Sequence, residues 1–187
     1  MQEREAINEV LLNINELPLD DSDVVEDINI AVVVSKVLDI SRKQILGQGW
    51  NFNRTTRDLV PNIDEYIIIP KSFLAVDGAS DTDNYTVRDS KLFDKTNVSF
   101  RFTSPVSCEI IEDIVFDDIP YVFANYIVKS ASLMTYSNIV GDANGVQIRA
   151  TQLNEAKIDA IRTDANEMDG NLLTGTYITD LSDKTSI

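Results

Sequence analysis

Apolar side chains recur at two different spacings along this 187-residue chain. The order of those spacings constrains the fold more than anything else. Between 118 and 140, Ile119, Val122, Phe123, Tyr126, Ile127, Ser130, Ala131, Leu133, Met134 and Ser137 follow the 3.6-residue period of a helix, with Gly141 as its stop. Asp117 or Asp118 is the expected cap, and Pro120 falls in the first turn, where its missing N–H costs little. Upstream, from Trp50 to about Phe116, the period shortens to β-rich runs: Asp58–Val60, Glu65–Ile69, Phe73–Val76, Tyr85–Val87, Lys91–Phe93, Val98–Phe102 and Cys108–Ile111. Pro61-Asn62, Asp77-Gly78 and residues 81–84 punctuate them, and Arg88-Asp89-Ser90-Lys91 is the expected hairpin connection, without the Asn-Gly or Asp-Gly signature.

Helical spacing also precedes the β-rich block. Residues 4–14 place Ala6, Val10 and Leu11 on one face, and Leu17-Pro18 breaks the run. Ser22 and Asp23 offer caps, with Asp23 and Glu26 at capping-box spacing, for a long helix over 24–46. One stripe of that helix carries Val24, Ile28, Ala31, Leu38 and Ile45; a second carries Ile30, Val33, Val34 and Val37. Apolar surface on two sides implies burial on two sides. Gly47 and Gly49 end the helix. A more polar helix is expected over 146–168, and the composition after Gly170 suggests a loosely tied tail. The fold expected is α+β: one domain spanning 1–187, with 1–49 and 117–170 forming a helical bundle, 50–116 an inserted antiparallel β-rich region, and 171–187 a flexible C-terminal tail.

Charge and composition exclude several functions. There are 31 acidic and 16 basic side chains, a formal charge of −15, which opposes any surface that grips DNA by neutralising phosphates. Histidine is absent, which removes the usual general base and the Ser-His and Cys-His nucleophile pairs. Cys108 is alone and reads as a small buried hydrophobe. No phosphate-binding glycine loop occurs, and Gly47-Gln48-Gly49 follows a helix instead of a strand. The acidic stretch 77–84 lacks EF-hand spacing and reads as a solvated turn. Glu112, Asp117 and Asp118 could serve a carboxylate-dependent polysaccharide or cell-wall hydrolase, but neighbours in sequence rarely face one another across a sugar, and Asp117-Asp118 has the cap as its simpler reading. No secretory leader is visible, and the apolar runs fall short of the ~20 residues needed to span a bilayer. Neither a cofactor nor a metal is expected.

A series of segments carries a resemblance. Ala6-Ile7-Asn8-Glu9-Val10-Leu11 is followed by Glu16-Leu17-Pro18, then by Gly49-Trp50-Asn51-Phe52-Asn53 and Leu59-Val60-Pro61-Asn62. Ile69-Pro70-Lys71-Ser72-Phe73-Leu74-Ala75-Val76-Asp77 and Val87-Arg88-Asp89-Ser90-Lys91-Leu92-Phe93-Asp94-Lys95-Thr96 come next. Asp117-Asp118-Ile119-Pro120 and Tyr126-Ile127-Val128-Lys129-Ser130-Ala131, through Gly141-Asp142, complete the series. In this order, over residues 6–142, they resemble the tail tubular protein A family, the tail adaptors of short-tailed bacteriophages.

That resemblance implies a structural virion protein of the tail, without catalysis. It implies a dodecameric ring between the portal and the nozzle (tail tubular protein B), extending the channel for the ejected genome and offering docking sites for tail fibres. Twelve copies at −15 each would carry −180 formal charges, a wall along which DNA slides without specific binding. Apolar burial must overcome the repulsion between copies, and Val33 and Val37 on the second stripe are the candidate ring interface; packing of that stripe against the 118–140 helix is the competing reading.

Overall fold

The computed structural model describes residues 1–80 and 84–174, with side chains through Glu167. Its elements are α1 (Glu3–Asn13), α2 (Asn29–Leu46), β1 (Arg54–Leu59), β2 (Phe73–Gly78), β3 (Tyr85–Arg88), β4 (Lys91–Asp94), β5 (Val106–Glu112), α3 (Tyr121–Ile139) and α4 (Ala143–Thr174). The class is α+β, as the order of periodicities implied. Contacts divide the chain into two compact units: Met1–Ser41 with the chain from Ile119 onward, and Arg42–Asp118.

In the helical unit α3 is the central element. Phe123, Ala124, Ile127, Val128 and Ala131 are buried, together with Ser132 and Thr135, so the helix is enclosed on more than one side. Helix α1 lays Ala6, Ile7, Val10 and Leu11 inward and packs against α3, as does α4. Polar ties set the register of α1 on α3: the Asn13 amide donates to Ser132 Oγ at 3.1 Å, and Lys129 Nζ lies 2.5 Å from Glu9 Oε1.

The expected helix over 24–46 is shorter. Val25–Asp27 form a single 3-10 turn, Ile28 is extended, and α2 starts at Asn29. The capping box does not form, because Asp23 Oδ2 accepts the Asp20 N–H at 2.8 Å and closes a turn of its own. Arg4 reinforces that turn by donating to the carbonyls of Asp20 and Asp23 at 2.6 and 2.7 Å, while Asn8 makes a reciprocal pair with the backbone of Leu19 at 3.1 and 2.7 Å. The chain from Leu19 to Asp23 is therefore held in a turn instead of winding into the helix.

In the β unit, β5 is the middle strand of an antiparallel sheet ordered β1-β5-β2, with Arg57 opposite Cys108 and Val76 opposite Ile110. Its core holds Ile67, Ile69, Val76, Leu92, Phe102, Cys108 and Ile110. Strands β3 and β4 form the expected hairpin, and Asp89 and Ser90 both take positive φ, +49° and +56°, the two-residue turn that matches strand twist. The runs at 65–69 and 98–102 are not full strands; they contribute isolated bridges, Tyr66 to Arg101, Ile68 to Lys91 and Ser99 to Asp94. Their alternation is genuine, with Ile67 and Ile69 buried and Ile68 exposed. The ladder fails because Asn62 Oδ1 takes the N–H groups of Asp64 and Tyr66, Glu65 and Val98 sit at positive φ, and Pro70 has no N–H to give.

The Gly-Trp-x-Phe-Asn junction is a network of satisfied groups. Trp50 Nε1 donates to the carbonyl of Ile45 at 2.7 Å, in the last turn of α2. Asn53, 2% exposed, accepts the Trp50 N–H and donates to the carbonyls of Leu46 and Glu112, both at 3.0 Å. Gly49 has φ +75°, and a Cβ there would lie 2.7 Å from Ile111 Cδ1, so only glycine fits.

Two further boundaries move. Asp117 and Asp118 do not cap α3; they lie in a 3-10 turn, Phe116–Asp118, and the Pro120 carbonyl instead accepts the N–H groups of Phe123 and Ala124 at 3.0 Å each. Helix α4 begins three residues earlier than expected, because Asp142 caps it through the N–H groups of Asn144 and Gly145, and it continues to Thr174. The expected tail thus starts as helix, and its remainder, 175–187, lies outside the described residues. So do residues 81–83 of the acidic stretch.

Candidate interaction surface

Helix α2 turns Ala31, Val34, Leu38, Ser41 and Ile45 inward, at the 3–4 residue spacing of a single buried stripe. Val33 and Ile40, each 46% exposed, face outward, with Val37 half-buried between them and Lys36 exposed beside them. The second apolar stripe of the sequence is thus split. Val34 belongs to the core, whereas Val33 and Val37, one turn apart, remain at the surface. Ile40 continues their row at the i+7 position and was not singled out; the spacing alone would have placed it there.

The densest polar cluster lies where α3 meets α4. The Tyr136 hydroxyl donates to Asp142 Oδ2, the Arg149 guanidinium lies 3.5 Å from the Tyr136 ring centroid, and Arg149 Nη2 donates to the carbonyl of Asn13 at the end of α1. The Tyr136 hydrogen bond and the N–H of Gly145 hold the Asp142 carboxyl below its ordinary range, and the same bond raises the Tyr136 hydroxyl above its own. Gly145 has no room for a side chain: a Cβ would lie 2.5 Å from Tyr136 Cε1, with Tyr136 Oη and Asp142 Oδ2 closer still. This cluster locks three helix ends together.

The carboxylates considered for hydrolysis, Glu112, Asp117 and Asp118, lie in two different elements. Glu112 Oε1 is 2.6 Å from Arg57 Nη2, on the neighbouring strand, while Asp117 and Asp118 sit exposed in the 3-10 turn. Asp113 is bound in a two-pronged contact by Arg42, at 2.5 and 3.4 Å, and Arg42 also donates to the Ile114 carbonyl at 2.6 Å. Glu112 and Asp113 are structural ties. Among the described residues no helix is long and apolar enough to cross a membrane, and no group of three or more Cys, Asp or Glu side chains is arranged to hold a metal ion.

Comparison with known proteins adds two findings. The family model for the tail tubular protein matches residues 4–170. Tail tubular protein A of Klebsiella phage KP34 is 32% identical over 149 residues, covering 77% of each chain.

Proposed function

Because the chain belongs to the tail tubular protein family, we propose that it is the adaptor ring of a short-tailed phage, joining the portal to the nozzle. As a member of that family it is a structural component of the virion tail. The finer reading is a dodecamer that prolongs the DNA channel, contacts tail tubular protein B on its distal side, and gives tail fibres a place to dock. The match over residues 4–170 carries this reading, since it spans both compact units.

The surface agrees with an assembling protein. Val33, Val37 and Ile40 form an uncovered apolar row, and we assign it to the contact between copies. The net charge of −15 gives a ring whose wall repels the phosphates of passing DNA, so the genome is conducted without being held. Native mass spectrometry of the full chain, alone and with portal protein, tests the reading. A dodecamer in either sample supports it. A monomer in both, at micromolar concentrations, refutes it.

A further inference from the structure

One face of the β unit runs against the charge of the rest of the chain. Cross-strand pairing places Arg88 opposite Lys91 in the β3–β4 hairpin, and Lys91 opposite Ile68, so all three side chains emerge on the side away from Ile67 and Leu92. Lys91 Nζ is 4.1 Å from the Tyr66 ring centroid, Arg101 Cζ is 5.6 Å from the same ring, and Arg88 Cζ is 4.1 Å from the ring of Phe93. Ile68, 54% exposed, lies among them. Arg101 is paired with Glu65 at 3.0 Å. Among the described residues no carboxylate is within ion-pair distance of Arg88 or Lys91. Asp94 on β4 is occupied by the N–H groups of Thr96 and Asn97 and by the Asn97 amide. In a chain with 31 acids for 16 bases, two cations fixed on aromatic rings, with no counter-ion among the described residues, form a prepared receptor for negative charge.

The same chain carries the matching ligand. Residues 16–27 contain Glu16, Asp20, Asp21, Asp23, Glu26 and Asp27 and not one base. Within that segment Leu17 is 86% and Val24 51% exposed. Arg4, the cation that reaches it, spends its hydrogen bonds on the carbonyls of Asp20 and Asp23 and not on their carboxylates, of which Asp23 accepts the Asp20 N–H. The segment is held in one conformation by Arg4 and Asn8, so little ordering cost remains to be met on binding.

We propose that the Arg88–Lys91–Ile68 face of one copy receives the acidic 16–27 segment of a second copy. The carboxylates meet Arg88 and Lys91, and Leu17 or Val24 covers Ile68. The contact joins two different surfaces and is therefore heterologous, the kind that propagates around a ring. The proposal rests on the ring reading above and adds a defined pair of surfaces to it. Duplex DNA is the weaker candidate for this face, because a body of charge −15 repels phosphate at long range and the two cations Arg88 and Lys91 are few against that.

Two chains, one carrying Lys91→Cys and the other Asp21→Cys, are mixed under mild oxidation, and the disulfide-linked heterodimer is quantified by mass spectrometry. Thr151→Cys on the exposed side of α4 replaces Asp21→Cys in the control, and buried Cys108 does not compete. In parallel, Arg88→Glu/Lys91→Glu, Asp20→Lys/Asp21→Lys and an equal mixture of the two are assayed for assembly. The expected result is cross-linking at least about tenfold above the control, assembly requiring about tenfold more protein for each reversed variant, and recovery in the mixture. Cross-linking without a ring in the unsubstituted protein keeps the contact and refutes the ring. A ring without cross-linking, with inert reversals, refutes the contact and keeps the ring. Absence of both refutes both. A duplex-DNA gel shift abolished by Arg88→Glu/Lys91→Glu, with assembly unchanged, assigns the face to DNA and overturns the proposal.

Discussion

Gly145 is the position where the geometry forecasts the largest effect from the smallest change. An added methyl meets Tyr136 Cε1 at 2.5 Å and crowds Tyr136 Oη and Asp142 Oδ2 further. Tyr136 cannot retreat easily: it is buried, its hydroxyl is committed to Asp142, and Arg149 covers its ring. Overpacking of this kind costs about 1–3 kcal/mol. Displacing the ring also sacrifices a hydrogen bond to an ionised acceptor, about 1.5 kcal/mol or more. Alanine returns about 1 kcal/mol through its better helix propensity. The net expectation for Gly145→Ala is a loss of about 2 kcal/mol, or a Tm lower by about 4–8 °C for a chain of this size. Urea and thermal unfolding, followed by circular dichroism, measure it. The sharper test is the same substitution in a Tyr136→Leu background, which removes the ring edge and the hydroxyl. There, Gly145→Ala is expected to cost nothing or to stabilise slightly. An equal loss in both backgrounds would refute the steric reasoning.

Other outcomes follow from the same contacts. Val33→Asp with Val37→Asp is expected to leave the far-ultraviolet spectrum of the chain unchanged, since Val33 is half-exposed, while light scattering shows only monomer where the unsubstituted protein assembles. Arg42→Ala frees the carboxylate of Asp113 and the carbonyl of Ile114, both partly buried, and is expected to cost about 2–3 kcal/mol in urea unfolding, with Asp113→Asn losing less. The Tyr136 hydroxyl titrates higher in the folded chain than in the unfolded one, so between those two values the folded state holds more protons and stability falls as pH rises. That alkaline loss, which begins near pH 10, the ordinary tyrosine value, should be present in the unsubstituted protein and absent from the contribution of residue 136 in Tyr136→Phe. The Asp142 carboxyl works in the opposite direction: its stabilisation is complete above about pH 4, the unfolded value, and is lost as pH falls through its lowered folded value.

The class of fold was legible because periodicity survives tertiary context. Helix α3 could be read in place and at its C-terminal end, though it starts three residues later than expected, and the β3–β4 hairpin was placed without its usual turn signature. The boundaries that moved did so where a side chain chose the backbone over its own element. Asp23 closed a turn with Asp20 instead of capping α2, and Asn62 took the N–H groups that a ladder through 65–69 needed. Those choices depend on Arg4, Asn8 and Glu65 φ, none of which a periodicity shows. The α2 row was half legible. The sequence marks Val33, Val34 and Val37 alike, and only packing separates the buried Val34 from its neighbours. The cation–ring face was not legible at all, since Tyr66, Arg88, Lys91 and Arg101 are brought to one side by pairing between segments that lack an obvious register.

Charge then sets how assembly should respond to salt. Each copy carries −15, so bringing copies together raises a repulsion that acts over the whole body. In the ring proposed above, the contacts that oppose it are short: the apolar row of α2, little affected by screening, and a few pairs between Arg88, Lys91 and the 16–27 segment, a few ångströms long when formed. At ~0.01 M salt the screening length is ~30 Å, comparable with a small protein, and the repulsion is nearly unscreened. At ~0.15 M it is ~8 Å, which suppresses the body-to-body term while leaving close pairs largely intact. At ~1 M it is ~3 Å, and the pairs weaken as well. Assembly is therefore expected to rise from low to physiological salt and to fall again toward molar salt, as measured by sedimentation velocity at fixed protein concentration. Arg88→Glu/Lys91→Glu should abolish the descending limb, leaving assembly that only rises with salt. A monotonic rise in the unsubstituted protein would show that apolar burial alone closes the ring, and a monotonic fall would show that the net charge is not what assembly has to overcome.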